Sequence, residues 1–536
     1  MAGSRQAILE GRVSTSTTHA RGVLRRGAVA LVAALALVTA ACSSGVSPSS
    51  TAPASPARTL VIGATAEPTS LDPTADAAAA GSQALLYNVY ETLVKVDAQG
   101  QLRPLLAQAW DVSSDGLTYT FQLNPLAKFS DGSQVTADAV ARNIARIKQE
   151  PVAAKLKTAM AVVDSTKVID TDTLSVTLSR PSVNWLYEMA STAGIVMNPA
   201  GFATATTATA GSGPLTVTGW TPGDSIVLSK SPGYWGTPVR FDEVTFRYFK
   251  DPNAMNASML SDQLDIISNL QAPESLAQFS DPSRFSVVEG TTNGEVVMGI
   301  NNGGAPTDPS VPAGTGNPAL ADVRVRKAIT MAIDKQALVN TTWGGHGKVI
   351  GSMSVPTDPY FEDLSGLYPY NPTEAKRLLA ESGHSRLTLR LKPAALPYAT
   401  KAAQFIAAQL QDVGITVQVE ELQFPARWRE TVYDRADYDL TIVAHVEARD
   451  LNTFANPNYY WRYHNPDFDA LVTKADAGTV SDYASGMKQA ARLLADDAAA
   501  VWLYVLPNIV VTKPGITGVP RDAQSLSFDV TTIARA

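Results

Sequence analysis

The run Glu447-Ala-Arg-Asp-Leu-Asn-Thr-Phe454 sets an acid, a base and an acid within four positions, at Glu447, Arg449 and Asp450. Such a cluster is suited to holding both ends of a zwitterion. Carboxylates accept from an ammonium, and a guanidinium grips a carboxylate with two parallel hydrogen bonds. The three can equally satisfy one another, Arg449 pairing with Glu447 or Asp450, as neighbouring charges commonly do. His445 stands just ahead of them, and a lone imidazole there gives weak support for a chelated metal. Glu67 is the other acid in a telling place. It follows the apolar run Leu60-Val-Ile-Gly-Ala-Thr65, and loops leaving the carboxyl ends of strands are where open α/β sheets put ligands. Its plain alternative is a solvated loop carboxylate. Trp428, Tyr459, Tyr460 and Trp461 could stack on a ligand, although such residues are more often packing.

Enzymatic chemistry has no comparable footing. The chain lacks H-E-x-x-H, G-x-S-x-G and the Walker A pattern, and its five histidines are scattered. No cofactor or resident metal is expected. One cysteine, Cys42, rules out an internal disulfide, so the folded body relies on buried core alone.

The elements that must carry these residues alternate between strand and helix. Thr59–Thr65 and Tyr438–Val443 read as buried strands. Tyr119, Phe121 and Leu123 alternate with polar neighbours, the period of a half-buried strand. Thr136 can cap a helix with Val140, Ile144 and Ile147 on one face. Asp322 can cap a helix over Val323–Val339. Asn371-Pro-Thr-Glu374 is a strong helix start, and Gly383 its stop. A helix over Thr400–Val413 ends at Gly414, followed by a strand at Ile415, Val417 and Val419. The fold class is therefore α/β.

The formal charge of the whole chain is −7, and residues 42–536 carry 38 Lys and Arg against 49 Asp and Glu. An acidic body argues against nucleic acid, which demands clustered bases. Arg21, Arg25 and Arg26 precede an uncharged 15-residue run, Gly27–Ala41. A spanning helix needs about 20 residues, so residues 1–41 read as a cleaved signal peptide. Val38-Thr-Ala-Ala-Cys42 resembles a bacterial lipobox, in which the Cys42 thiol receives diacylglycerol. Residues 42–57, rich in Ser, Pro and Ala, read as a tether with a reach of roughly 50 Å.

Many short stretches resemble, in one order, the family 5 extracellular solute-binding proteins, the peptide/nickel-binding family. They include Leu60–Pro73, Tyr90-Glu-Thr-Leu-Val94, Pro104–Trp110, Ser114–Phe121, Phe129–Ser133, Thr136–Val140, Gly211-Ser-Gly-Pro214, Trp220–Asp224 and Tyr234-Trp-Gly236. Val325–Asp334, Tyr370–Ala380 and Asn465–Asp469 continue the likeness, which spans residues 58–536. The resemblance implies a two-lobed periplasmic-binding-protein fold of type II, cluster C, with an extra subdomain. Residues 58–79, 208–293 and 501–536 would form the first lobe, 80–207 the extra subdomain and 294–500 the second lobe. Hinge closure would engulf a ligand between the lobes. The implied role is capture of a small solute, a di- or oligopeptide first, for an ABC permease in the membrane. The protein would sit lipid-anchored on the outer face of the cytoplasmic membrane as a monomer. In peptide binders the acid seven residues before a Phe pairs with the ligand's α-ammonium, and Glu447 holds that spacing to Phe454. Glu67 is similar in position to a cleft-lining acid, and His445 stands where many relatives have Trp. Leu215 replaces the usual Tyr, and Glu447 the more usual Asp. These departures leave open a chelated-nickel or oligosaccharide ligand, and a lipoprotein regulating the envelope instead of feeding a permease. The aspartates of Asp115-Gly116 and Asp131-Gly132 read as turns.

Overall fold

The computed structural model describes residues 58–75, 79–149 and 152–536. Cys42, the leader and the tether lie outside the described residues.

Thr59–Ala64 is a strand buried at Leu60 and from Ile62 to Ala64. Being apolar on both faces, it can only sit inside a sheet. It runs parallel to Glu243–Tyr248 on one side and Ile266–Ile267 on the other. Eleven strands form this sheet. Ten follow the order Leu215–Thr221, Ser225–Lys230, Glu243–Tyr248, Thr59–Ala64, Ile266–Ile267, Ala500–Thr512, Ser286–Ile300, Leu440–His445, Leu387–Leu391 and Ile415–Val419, and Lys348–Val349 adds to Ala500–Thr512.

The two long central strands join the halves of the molecule. Ser286–Thr291 pairs with Pro507–Thr512, and Glu295–Gly299 pairs with Ala500–Val505. The register shifts between those stretches. Pro507 has no N–H to give the ladder there, and Gly294 lies in the gap. The first half packs around Ile62, Phe246, Ile266 and Val510. The second packs around Ile300, Ile329, Ile406 and Ile442 on one face and Trp461, Phe468, Met487 and Trp502 on the other. Residues 501–505, expected in the first lobe, are thus ladder partners of the second half, because the crossing point sits at Pro507.

A four-stranded antiparallel sheet, in the order Ala107–Val112, Thr118–Leu123, Thr173–Leu178 and Val163–Val168, forms the extra subdomain. The Ala137–Gln149 helix lays Val140, Ile144 and Ile147 on it, and Thr136 Oγ1 accepts from Ala139 N as its cap. Its core runs from Leu93 to Val196. Leu85, Leu86, Tyr87, Val89, Tyr90 and Met197 pack instead in the first-half core. Asp115 and Asp131 hold turns through Leu117 N and Ser133 N, with Gly116 and Gly132 at positive φ as the sequence predicts.

Three boundaries differ from the periodicity. Val323–Val339 is not one helix: Val323–Met331 ends, and Lys335–Trp343 starts afresh with Asp334 accepting from Ala337 N. The apolar spacing runs through the break, but the second cap wins locally. The helix ending at Asp412 begins at Pro397. The strand expected at Tyr438 begins at Leu440, because the Asp439 carboxylate takes Asn317 N and Arg390 N.

Two packing features fix the second half and its contact with the subdomain. Arg326 is buried and donates to the carbonyls of Leu320, Ala321, Asp497 and Ala498 at 2.7–3.2 Å. Asp476, closing the Pro466–Asp476 helix, accepts from Arg180 Nη1 at 2.7 Å, Ser182 Oγ at 2.9 Å and Asn184 N at 3.0 Å. That carboxylate ties the extra subdomain to the second half.

Candidate functional site

The Leu440–His445 strand is buried because it is an inner strand of the large sheet, between Ser286–Ile300 and Leu387–Leu391. Its end delivers His445 directly across from Glu295 on the crossing strand. The chain then turns sharply at Arg449, whose φ of 65° is left-handed and strained for a side chain with a Cβ. A 3₁₀ turn, Asp450–Ala455, follows and is anchored by buried Leu451 and Phe454. Phe454 stacks on Trp461 with centroids 4.7 Å apart. The strain is therefore held by packing on both sides, and it aims Glu447, Arg449 and Asp450 at the subdomain.

His445 Nδ1 lies 3.1 Å from Asp450 Oδ2, and its Nε2 lies 2.7 Å from the Tyr460 hydroxyl. Burial would raise the Asp450 carboxyl, but Lys155 and the His445 hydrogen bond outweigh it and hold it below the usual carboxylate range. An ionised Asp450 can only accept, so Nδ1 donates to it.

Residues from the subdomain complete the cluster. Lys155, on the Ala154–Met160 helix, sets its Nζ 2.6 Å from Glu447 Oε1 and 4.0 Å from Asp450 Oδ1. Burial pulls the Lys155 ammonium down, but Asp450, Glu447 and Glu188 push it above its ordinary value. Glu188 itself is raised, by burial first and then by Asp450 and Glu447, against Lys155. Arg449 makes neither of the neighbouring ion pairs. Its guanidinium carbon lies 3.2 Å from the Tyr187 ring centroid and 5.0 Å from that of Tyr483, a cation–π placement. Arg449 is 8% exposed, and its Nη1 has no hydrogen-bond partner in the protein.

Two more acids stand close. Glu295 is 2% exposed, and its Oε2 has no partner. Burial, then the charges of Asp358, Asp450 and Glu447, push its carboxyl well above the carboxylate range. Asp358 accepts from Val355 N at 2.8 Å and is pushed up to about 6 by burial, with Arg449 drawing it back.

The structure brings His445, Glu447, Arg449 and Asp450 together and adds Lys155, Tyr187, Glu188, Glu295 and Asp358. Glu67 serves elsewhere: its carboxylate accepts from Trp220 Nε1 at 3.1 Å and Gly223 N at 2.9 Å. Those bonds pin the Thr221–Asp224 turn. Trp428 and Trp461 likewise serve the core, donating to Thr441 Oγ1 and Thr453 Oγ1, and Tyr460 is buried beside them. Both ring nitrogens of His445 are engaged, by Asp450 and Tyr460.

The cluster can seat an ammonium on Glu447 and Asp450 and a carboxylate on Arg449. The profile of the bacterial extracellular solute-binding proteins, family 5 Middle, matches residues 101–485. The chain is 29% identical over 436 residues to the glutathione-binding protein GsiB of Escherichia coli strain K12, covering 77% of this chain and 76% of that protein. It is 28% identical over 493 residues to the probable D,D-dipeptide-binding periplasmic protein DdpA of the same strain, covering 83% and 88%. The fold is similar to that of the binding protein AgaA of A. tumefaciens R10 in complex with agropinic acid. The TM-score is 0.76 at 22% identity, over 89% of this chain and 99% of that one.

Proposed function

The chain belongs to the bacterial extracellular solute-binding proteins of family 5, the solute-capturing components of ABC importers and not enzymes, and we propose that its solute is a short peptide held by both charged ends. One observation carries the reading: Glu447, Asp450 and an Arg449 guanidinium with an unpartnered Nη1 converge within one turn, largely out of solvent. Burying a free ammonium or carboxylate unpaired costs several kcal/mol, so a zwitterion enters such a place only where both countercharges are provided. The printed names of the relatives agree in kind, since glutathione and D,D-dipeptides are peptidic and zwitterionic. Agropinic acid, held by a protein of similar fold, is the reason opines stand in the test.

A thermal-shift screen of the purified mature chain over di- to pentapeptides, chelated nickel, oligosaccharides and opines tests this. Ligand at a hundredfold excess over Kd stabilises by about 2.7 kcal/mol. Peptides are expected to raise Tm by several degrees and sugars not at all. A response to chelated nickel, sugars or opines alone removes the peptide reading. Silence in every class, with ligand-free protein confirmed by mass spectrometry, favours a regulatory envelope role.

Delivery is proposed to occur at the membrane, with Cys42 diacylated and residues 42–57 as the tether. Cys42→Ser is expected to release the protein from the membrane fraction. A variant that still partitions into detergent like the parent removes the lipid anchor.

A further inference from the structure

Among the described residues, the other buried acids are satisfied. Glu91, 1% exposed, accepts from Tyr234 OH at 2.6 Å and Trp235 Nε1 at 3.1 Å, and Asp476 has its three donors. Such acids are structural ties, since each oxygen has a donor. Glu295 is as deeply buried, sits on the crossing strand, and leaves Oε2 without any donor. An unmet carboxylate oxygen with no solvent is a costly arrangement for stability alone.

The charge around it points the same way. Five carboxyl groups, Glu188, Glu295, Asp358, Glu447 and Asp450, gather here with three basic groups, Lys155, Arg449 and His445. The groups facing Glu295 are acidic from each side: Asp358 from the Val355–Tyr360 loop, and Glu447 and Asp450 from the segment after the Leu440–His445 strand. His445, directly across on the neighbouring strand, is already engaged by Asp450 and Tyr460 and does not reach Glu295 Oε2. A zwitterion seated on Glu447, Asp450 and Arg449 would still leave Glu295 Oε2 without a donor.

We infer that the solute carries a second cationic group, a basic side chain in the case of a peptide, and that Glu295, with Asp358 beside it, is its seat. This deepens the reading of the cluster as the solute site and rests on it. An arriving ammonium or guanidinium donates to Glu295 Oε2, and the carboxyl gives up the proton that burial and its acidic neighbours keep on it when the site is empty. Lysine- or arginine-containing peptides are then preferred over neutral ones, and their binding releases a proton.

Calorimetry on the mature wild-type chain and Glu295→Gln tests this with Ala-Ala-Ala, Lys-Ala-Ala, Ala-Lys-Ala and Ala-Ala-Lys, each in two buffers of different ionisation enthalpy. Wild type is expected to prefer at least one lysine peptide over trialanine by about tenfold or more, roughly one decade per 1.4 kcal/mol. Its binding enthalpy should depend on the buffer in the sense of proton release. In Glu295→Gln the preference falls towards one and the released proton disappears. The melting temperature of the unliganded variant shows that it folds. Wild type favouring trialanine or binding all four alike overturns the proposal, and so does a variant that keeps the preference. If no tripeptide binds, spermidine and arginine decide. Binding of either that Glu295→Gln weakens tenfold upholds the cation seat and discards the peptide reading, and absence of such binding overturns the seat.

Discussion

Glu447→Gln is expected to weaken binding of a free peptide at least tenfold, and Lys155→Met to strengthen it. The opposite signs follow from the 2.6 Å contact between Lys155 Nζ and Glu447 Oε1. In that arrangement the Lys155 ammonium occupies the place where a ligand ammonium would sit, and it also neighbours Asp450 at 4.0 Å. A ligand must displace it, so removing it removes a competitor, whereas removing the Glu447 charge removes the seat. Hydrogen bonds to charged groups contribute roughly 1.5–3 kcal/mol, and about 1.4 kcal/mol is one decade in Kd. Gln keeps the shape, so the effect reads the charge. Calorimetry with a free and an N-acetylated peptide, on both variants and the double variant, separates the cases. Acetylation should cost the wild type about as much as Glu447→Gln does, and should cost that variant little more. Equal affinity for the acetylated peptide sinks the ammonium seat. Weaker binding by Lys155→Met makes Lys155 a partner of the ligand instead of its rival. Asp450→Asn is the control for the neighbouring acid.

Arg326→Met is expected to destabilise the unliganded body by about 3–5 kcal/mol, since several buried carbonyls lose their donor at roughly 1–3 kcal/mol each. Met fills similar volume but donates nothing. It leaves the carbonyls of Asp497 and Ala498, just past the Val480–Asp496 helix, and of Leu320 and Ala321 without their shared donor. Arg326→Lys should recover only part, because one ammonium cannot span four acceptors that a planar fork reaches. Chemical denaturation followed by circular dichroism reads the loss, and intrinsic tryptophan fluorescence checks whether the two halves melt together. A loss below about 1 kcal/mol would mean that water satisfies those carbonyls and that the network is dispensable.

Where a signal was local, the sequence carried it. Asn371, Pro372 and Gly383 bracket a helix because capping is settled within a few residues. The break at Ala332 escaped notice because Ile329, Ala332 and Ile333 keep an apolar spacing across it, and all three are buried whichever way the backbone runs. The site divided along the same line. His445, Glu447, Arg449 and Asp450 are neighbours in the chain and were found together. Lys155, Tyr187 and Glu188 arrive from the subdomain through the docking of Asp476, a long-range event with no local trace. Glu295 was hidden differently. An acid heading an apolar strand reads as its solvent-facing end, yet here the strand continues through the molecule and that end is its middle. Arg449 departs from the alternative of pairing with its neighbours, since its guanidinium lies on the Tyr187 ring.

In the sheet, Ala500–Thr512 lies between Ile266–Ile267 and Ser286–Ile300, so the strand made last fills a slot in the middle of what was made much earlier. Emerging from its N-terminus, the chain can assemble the extra subdomain, whose strands are close in sequence, but neither half of the large sheet can be finished. Ile267 waits for Val511, and Met298 for Val501. Contacts so distant in sequence are slow to form. Order of synthesis thus becomes a timer: until residues 500–512 are delivered the polypeptide stays largely open, able to pass end-first through a narrow pore, and sensitive to any truncation that removes them.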